Sequence, residues 1–246
     1  MDVGQLNVGG ADSSAVLTVQ AVSISISGRD IVRSVNFRLP LQASMAIIGA
    51  NGSGKTLLLK ALLGLLPYSG TVRWKSGIHL GYVPQTVFAD PHLPLRGREL
   101  LLAKARVQHF GQREIDTAVE IVGIAELLDR PLGTLSSGQL QKVLIGFAML
   151  GTPEVLLIDE PTSSLDELAE QRIFELLGNI RREQRTTVIT VSHDLTLLRG
   201  AATHVLCLSA GNAYFGTAAQ MLVPEILHKV YGNPVDFHPH AMEKQP

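Results

Sequence analysis

Three short stretches carry residue types that could do phosphate chemistry. Gly49 to Thr56 reads GANGSGKT, a match to G-x-x-x-x-G-K-[ST], and it lies between an apolar run, MAIIG, and a helical one, TLLLKALLGLL. Glycines let such a loop turn until its N–H groups converge on phosphate oxygens, and the helix that follows adds a favourable potential for an anion. Gly49, Asn51, Gly52, Ser53 and Gly54 would line the cradle and Lys55 would reach the β- and γ-phosphates. Thr56 would offer its hydroxyl to a Mg²⁺ ion. A glycine-rich turn with no ligand is the plain alternative, and the strand before and helix after it weigh against that. The loop does not choose between ATP and GTP.

The second stretch is EVLLIDEP. Four apolar residues, Val155 to Ile158, spell a buried strand, and Asp159 leaves its C-terminal end, the edge where parallel sheets bind ligands. Asp159 could hold Mg²⁺ directly or through water. Glu160 follows at once; a second carboxylate beside a phosphate-bound metal needs a task, and polarising the attacking water is the obvious one. The alternative is that Asp-Glu-Pro only caps the next turn. His193, after TTVITVS, comes at a similar strand end and could orient water or bond the γ-phosphate, or could simply cap the strand. Gln85, in GYVPQ, could reach Mg²⁺ or water through its carbonyl oxygen, but by chemistry alone it reads as a surface glutamine.

The third stretch, LSSGQ, opens a helix with small hydroxyls and bare backbone. Ser136, Ser137, Gly138 and Gln139 read either as an ordinary N-cap for a helix over 139–150 or as a second phosphate-facing cap. If a second subunit presented it, ATP would be gripped between two chains.

These residues need strands that end at one edge. Alternating residues from Ala15 to Pro40 predict two strands with a turn at Ser27 to Asp30, and TVRW and IHLGYVPQ predict more strand. A helix is expected from Lys55 or Thr56 to just before Pro67. Residues from about Leu95 to Leu132 show helical patterns almost without strand signal. VLLID, a helix over Leu165 to Arg182, TTVITVS, a helix around Asp194 to Arg199 and HVLCLS follow in alternation, which implies a mainly parallel sheet covered on both faces. The chain has 246 residues, a 46% hydrophobic fraction and a net charge of -1, which argues for a folded domain and against a nucleic-acid partner. No apolar run approaches the roughly 20 residues of a membrane span. The start lacks a secretory pattern. Cys207, the lone cysteine, permits neither a disulfide scaffold nor a thiolate zinc site and fits a buried strand in a reducing compartment.

Taken together the motifs resemble those of ABC-transporter ATPases over about Leu17 to Gly232. GANGSGKT is similar to the Walker A loop, GYVPQ to the Q-loop and LSSGQ to the signature. VLLIDEP is similar to Walker B, SSLD (Ser163 to Asp166) to the D-loop, and VSHD to the switch-histidine segment. The resemblance implies an α/β fold of the P-loop NTPase, ABC ATPase type: a mainly parallel sheet core, an antiparallel N-terminal β subdomain and a small helical lobe. Residues 16–90 and 151–232 would form the core, 91–150 the lobe with the signature, and 233–246 a tail, in one domain over 1–246. It also implies a head-to-tail homodimer in which Lys55, Thr56, Gln85, Asp159, Glu160 and His193 of one copy hold ATP and Mg²⁺ against Ser136 to Gln139 of the other, with Asp166 at the junction. The sequence departs from the family pattern in three places: Ser137 stands where a glycine is usual, Ile26 takes the place of an adenine-stacking aromatic, and LQASMAI lacks the common glycine-glutamate pair.

More narrowly, IHLGYVPQ, FADPHLPL, SHDLTLL and FGTAAQMLVPEILHKVYG resemble zinc and manganese importer ATPases. That implies a peripheral subunit on the cytoplasmic face of the membrane, bound to integral-membrane permease subunits and served indirectly by an extracytoplasmic metal-binding protein. Zinc leads, manganese follows, and iron or its chelates come third. His238 and His240 in the tail are too few to make a strong metal site. An exporter subunit and a cofactor-assembly scaffold are the competing readings. A chromosome-associated ATPase would need a long coiled-coil insertion between Gln85 and Ser136, and only a compact lobe fits there.

Overall fold

The computed structural model describes residues 15–85, 94–162, 165–192, 202–209 and 211–231. His193, Ser163, Ser164, the expected helix at 194–199, most of the segment after Gln85, and His238 and His240 lie outside them.

Strands β1 (Ala15–Ile26) and β2 (Arg29–Pro40) pair antiparallel, and β4 (Ser69–Trp74) joins the other side of β1. In β1 the buried positions run Val16, Leu17 and Val19, then Val22 and Ile24. That phase change is a bulge: the pairing slips between Val19 and Val22, where Ala21 takes a φ of 50°. The turn is tighter than the sequence suggests. Ser27 and Gly28 alone connect the strands, both at positive φ, which matches the twist of a two-residue hairpin.

The second sheet has six strands in the order β5-β6-β7-β3-β8-β9. β3 (Ser44–Gly49), β5 (Leu80–Val83), β6 (Val155–Asp159), β7 (Thr187–Val191) and β8 (His204–Ser209) are parallel. β9 (Asn212–Thr217) closes the edge antiparallel, a strand that the sequence reading did not anticipate. Strands β3, β6 and β7 are buried at every position, because cores lie on both faces. Met45, Ile47, Leu157 and Ile189 meet Leu58, Leu59 and Leu62 of α1 (Lys55–Leu62) and the inner face of the three-stranded sheet. Leu156 and Ile158 face the other way, toward α4 (Ser137–Met149) and α5 (Glu167–Glu183). Each such side chain contributes roughly 1.5–3 kcal/mol. α1 stops a turn earlier than expected, at Leu62, where Gly64 adopts a φ of 71°.

Helices α2 (Gly97–Gln108), α3 (Gln112–Val122) and α4 carry the middle of the chain. α4 packs so close to the turn after α3 that a Cβ at Gly146 would overlap Ile124. Lys104 of α2 donates to the carbonyls of Phe147 (2.7 Å) and Ala148 (3.4 Å), with its ammonium 4.8 Å from the Phe147 ring centre. α5 buries Ile173, Leu177 and Ile180 at helical spacing. Short α6 (Ala218–Met221) and α7 (Pro224–Tyr231) then cover β8. Cys207 is buried in β8, as its apolar neighbours predict. Among the described residues no helix is long and apolar enough to cross a membrane.

Candidate functional site

Four parallel strands end at one edge and deliver the candidate groups there. β3 runs into the loop 49–54, β6 ends at Asp159, β7 ends just before Ser192, and β5 leads to Gln85. Because β7 separates β3 from β6, the loop and Asp159 face each other across a strand end, the kind of crevice where open α/β sheets take ligands.

The loop's shape depends on its glycines. Gly52 and Gly54 have φ of 78° and 96°, Gly54 being the left-handed residue just before α1. At Gly49 a Cβ would overlap the Leu208 carbonyl and come within 2.7 Å of Ser53 Oγ. Asn51 and Gly52 are exposed at the crest. Lys55 is only 5% exposed, and its ammonium donates to the carbonyls of Gly49 (2.9 Å) and Ala50 (3.2 Å). Burial lowers its pKa, and the carboxylates of Glu160 and Asp159 oppose that shift. The ammonium is thus folded over the cradle rather than extended into solvent.

Thr56 Oγ1 donates to Asp159 Oδ1 at 2.9 Å, which joins the start of α1 to the end of β6. Asp159 is 1% exposed, and burial raises its pKa, with the Thr56 bond pulling it partly back. Glu160 holds a positive φ of 46°, unusual for a residue with a side chain, while its N–H donates to Val191 O at 3.1 Å. That turn throws its carboxylate outward, where Gln85 Nε2 donates to Oε2 at 2.7 Å. The structure therefore brings Lys55, Thr56, Gln85, Asp159 and Glu160 together.

These groups fit a nucleoside triphosphate. Ser53 Oγ is buried in the loop with no hydrogen-bond partner, an orphan that a phosphate oxygen would satisfy. Thr56 and Asp159 supply hard oxygen donors that suit Mg²⁺. Among the described residues no group of three or more His, Cys, Asp or Glu side chains could hold a metal by itself. An ion here would be shared with the phosphates.

Ile26, 42% exposed, ends β1 at the hairpin tip, and the same hairpin's Ile31 and Val32 pack on Gly54. Ser136 to Gln139 lie elsewhere: Ser136, Gly138 and Gln139 line a cleft with Gly123, Leu127, Ala169 and Ile173 that includes no residue of the loop. They open α4, where Ser136 Oγ accepts from Gln139 N–H (3.3 Å) and Gln139 Oε1 accepts from Ser136 N–H (3.1 Å). This reciprocal cap fulfils the ordinary N-cap reading and turns the Gln139 side chain inward. Ser137 is exposed and already helical, so the helix begins two residues before the expected 139. Asp166 caps α5 by accepting from Ala169 N–H at 2.8 Å. Arg130, absent from the sequence reading, donates to Gln139 Oε1 (3.3 Å) and Thr134 O (3.1 Å). Tyr82 also escaped it; burial first, then Asp159, raises its phenol pKa. Neither carries a motif that would have found it.

A family model described as ABC transporter matches residues 32–163. Over 205 residues the chain is 35% identical to a zinc import ATP-binding protein, ZnuC, of Photorhabdus laumondii, covering 83% of this chain and 79% of that protein. A protein of the same name from Cereibacter sphaeroides is 40% identical over 184 residues, 74% of each chain. Among solved structures, an inward-facing metal-chelate type ABC transporter superposes with a TM-score of 0.82 at 26% identity, over 89% of this chain and 90% of that one.

Proposed function

We propose a function that starts from one fact: the chain belongs to the ABC transporter family, as an ATP-hydrolysing P-loop subunit. It drives import of a metal ion through a membrane permease, with zinc the leading cargo and manganese next. The observation that supports the cargo is its likeness, over most of its length, to proteins named for zinc import. A metal chelate is the second reading, favoured by the likeness to the metal-chelate transporter.

In the hydrolytic step the loop amides and Lys55 hold the β- and γ-phosphates, and the Ser53 hydroxyl gains a phosphate partner. Thr56 and Asp159 would hold Mg²⁺, and Gln85 would add its carbonyl oxygen if released from Glu160. Bound there, Mg²⁺ would offset phosphate charge as the terminal P–O bond breaks. Glu160 accepts a hydrogen bond from the attacking water and draws off its proton. His193, two residues after β7 in the sequence, would orient the same water. Ile26 packs on adenine.

Ser136, Ser137 and Gly138 serve the nucleotide of a second copy, with Asp166 near the junction. In the described chain they stand apart from its own loop, and their exposed hydroxyls suit an intermolecular contact. Two copies close on ATP and open after hydrolysis, and that stroke reaches the permease through the segment after Gln85. The subunit sits at the cytoplasmic face, and an extracytoplasmic binding protein delivers the ion. Co-expression with a candidate permease from the same organism and reconstitution into vesicles tests this. ATP-dependent accumulation of zinc is expected, manganese alone would move the assignment, and transport of neither with ATPase intact would refute metal import.

A further inference from the structure

Among the described residues three buried side-chain polar atoms lack a hydrogen-bond partner: Ser53 Oγ, Arg181 Nε and the Tyr231 hydroxyl. Two of these flank one residue, Gly49, the first of the phosphate loop. Ser53 Oγ lies 2.7 Å from where a Gly49 Cβ would stand. The Gly49 backbone N–H lies near enough to the Tyr231 oxygen to favour its ionised form, yet no hydrogen bond is completed.

The fold places Tyr231 there by several independent ties. α7 seats Leu227 and Val230 among Ala46, Ile48, Val205 and Cys207 of β3 and β8. Ser209, at the end of β8, donates its hydroxyl to the Lys229 carbonyl at 3.0 Å, which pins the last turn of α7 to that strand end. In the neighbouring strand Gly49 lies opposite Leu208. The final residue of α7 is therefore held at the root of the phosphate loop.

We propose that Tyr231 is a positioning residue for nucleotide binding: when phosphate fixes the loop, the Gly49 N–H closes onto the Tyr231 hydroxyl, which accepts it. This rests on the reading that the loop binds ATP. Burying an unpaired hydroxyl is unfavourable, so the described arrangement holds a cost that the closed contact removes. A ligand shifts a conformation only through contacts that differ between its states, and this contact is one. Burial pushes the phenol up to about 12, so it stays neutral across the working pH range and serves as a plain hydrogen-bonding group.

Tyr231→Phe removes the hydroxyl and keeps the ring. The account expects an equal or higher melting temperature, because an orphan is lost. It also expects Kd for ATP and ADP weaker by about three- to tenfold, the loss of one hydrogen bond. KM for ATP should rise in step while kcat changes less than about twofold. A hydroxyl that only supports packing gives the reverse, a lower melting temperature with unchanged affinity, and that result would overturn the inference. With 3-fluorotyrosine incorporated, the ¹⁹F resonance missing from the Tyr231→Phe spectrum should shift as ADP is added, tracking binding measured by calorimetry. A still resonance while calorimetry records binding overturns the inference alone. Failure of the parent chain to bind either nucleotide would overturn the assignment of the loop as well.

Discussion

Glu160 and Lys55 sit in one site yet should fail in different ways. Glu160→Gln keeps the size of the side chain and its bond to Gln85, so ATP binding should persist while turnover falls about 100-fold or more. Lys55→Ala removes the ammonium from the cradle and should abolish measurable nucleotide binding. Phosphate release and calorimetric binding on both variants separate the two roles. Asp159 gives a pH test. Its carboxyl titrates above the ordinary range because it is buried, so its charge is lost early as pH falls. Stabilisation of the chain by Mg²⁺ with ADP should therefore weaken as the medium is acidified, more than in Asp159→Asn, whose dependence should be flatter; thermal shift across pH reads both. At this scale the sequence was informative where chemistry fixes spacing. The glycines, Lys55, Thr56, Asp159 and Glu160 announce themselves by type and order. The Gln85–Glu160 bond does not, because it depends on how β5 and β6 lie side by side, and neither do Tyr82 and Arg130.

Helix α4 ties a surface feature to the interior. Its N-terminal cap is closed by Ser136 and Gln139, and its C-terminal carbonyls are held by Lys104. Ser136→Ala should cost about 1 kcal/mol of stability, read by urea denaturation. Burial lowers the Lys104 pKa to about 8 from the 10.5 of a free lysine. Between those values the unfolded chain binds more protons, so stability should rise as pH climbs from about 8 toward 10.5. Lys104→Met should lose that rise, and urea melts at several pH values would show it. Ser137→Gly should favour ATP-driven closure by removing a side chain at the exposed start of the helix; an unchanged closure constant would clear the serine of steric weight. Element types read well from period, as the buried run of β6 and the spaced apolar face of α5 show. β9 was missed because its residues are half-buried at an edge, which leaves little alternation to see. α1 was overextended because Leu63, Leu65 and Leu66 continue an apolar pattern past the backbone turn at Gly64.

For the molecule as a whole, the central claim is that each copy lacks something its partner provides: the loop and carboxylates lie at one sheet edge, and the capped start of α4 stands apart from them. Mixing two damaged forms tests it most directly. One carries Lys55→Ala with α4 intact; the other keeps the loop and carries Ser136→Arg with Gly138→Arg. Each should be inactive alone. Mixed in equal amounts, half of the pairs would be mixed, and each mixed pair would hold one complete site of two, so turnover should recover to about a quarter of the parent rate. No recovery, or full turnover by the α4 variant on its own, would contradict a nucleotide shared between two chains.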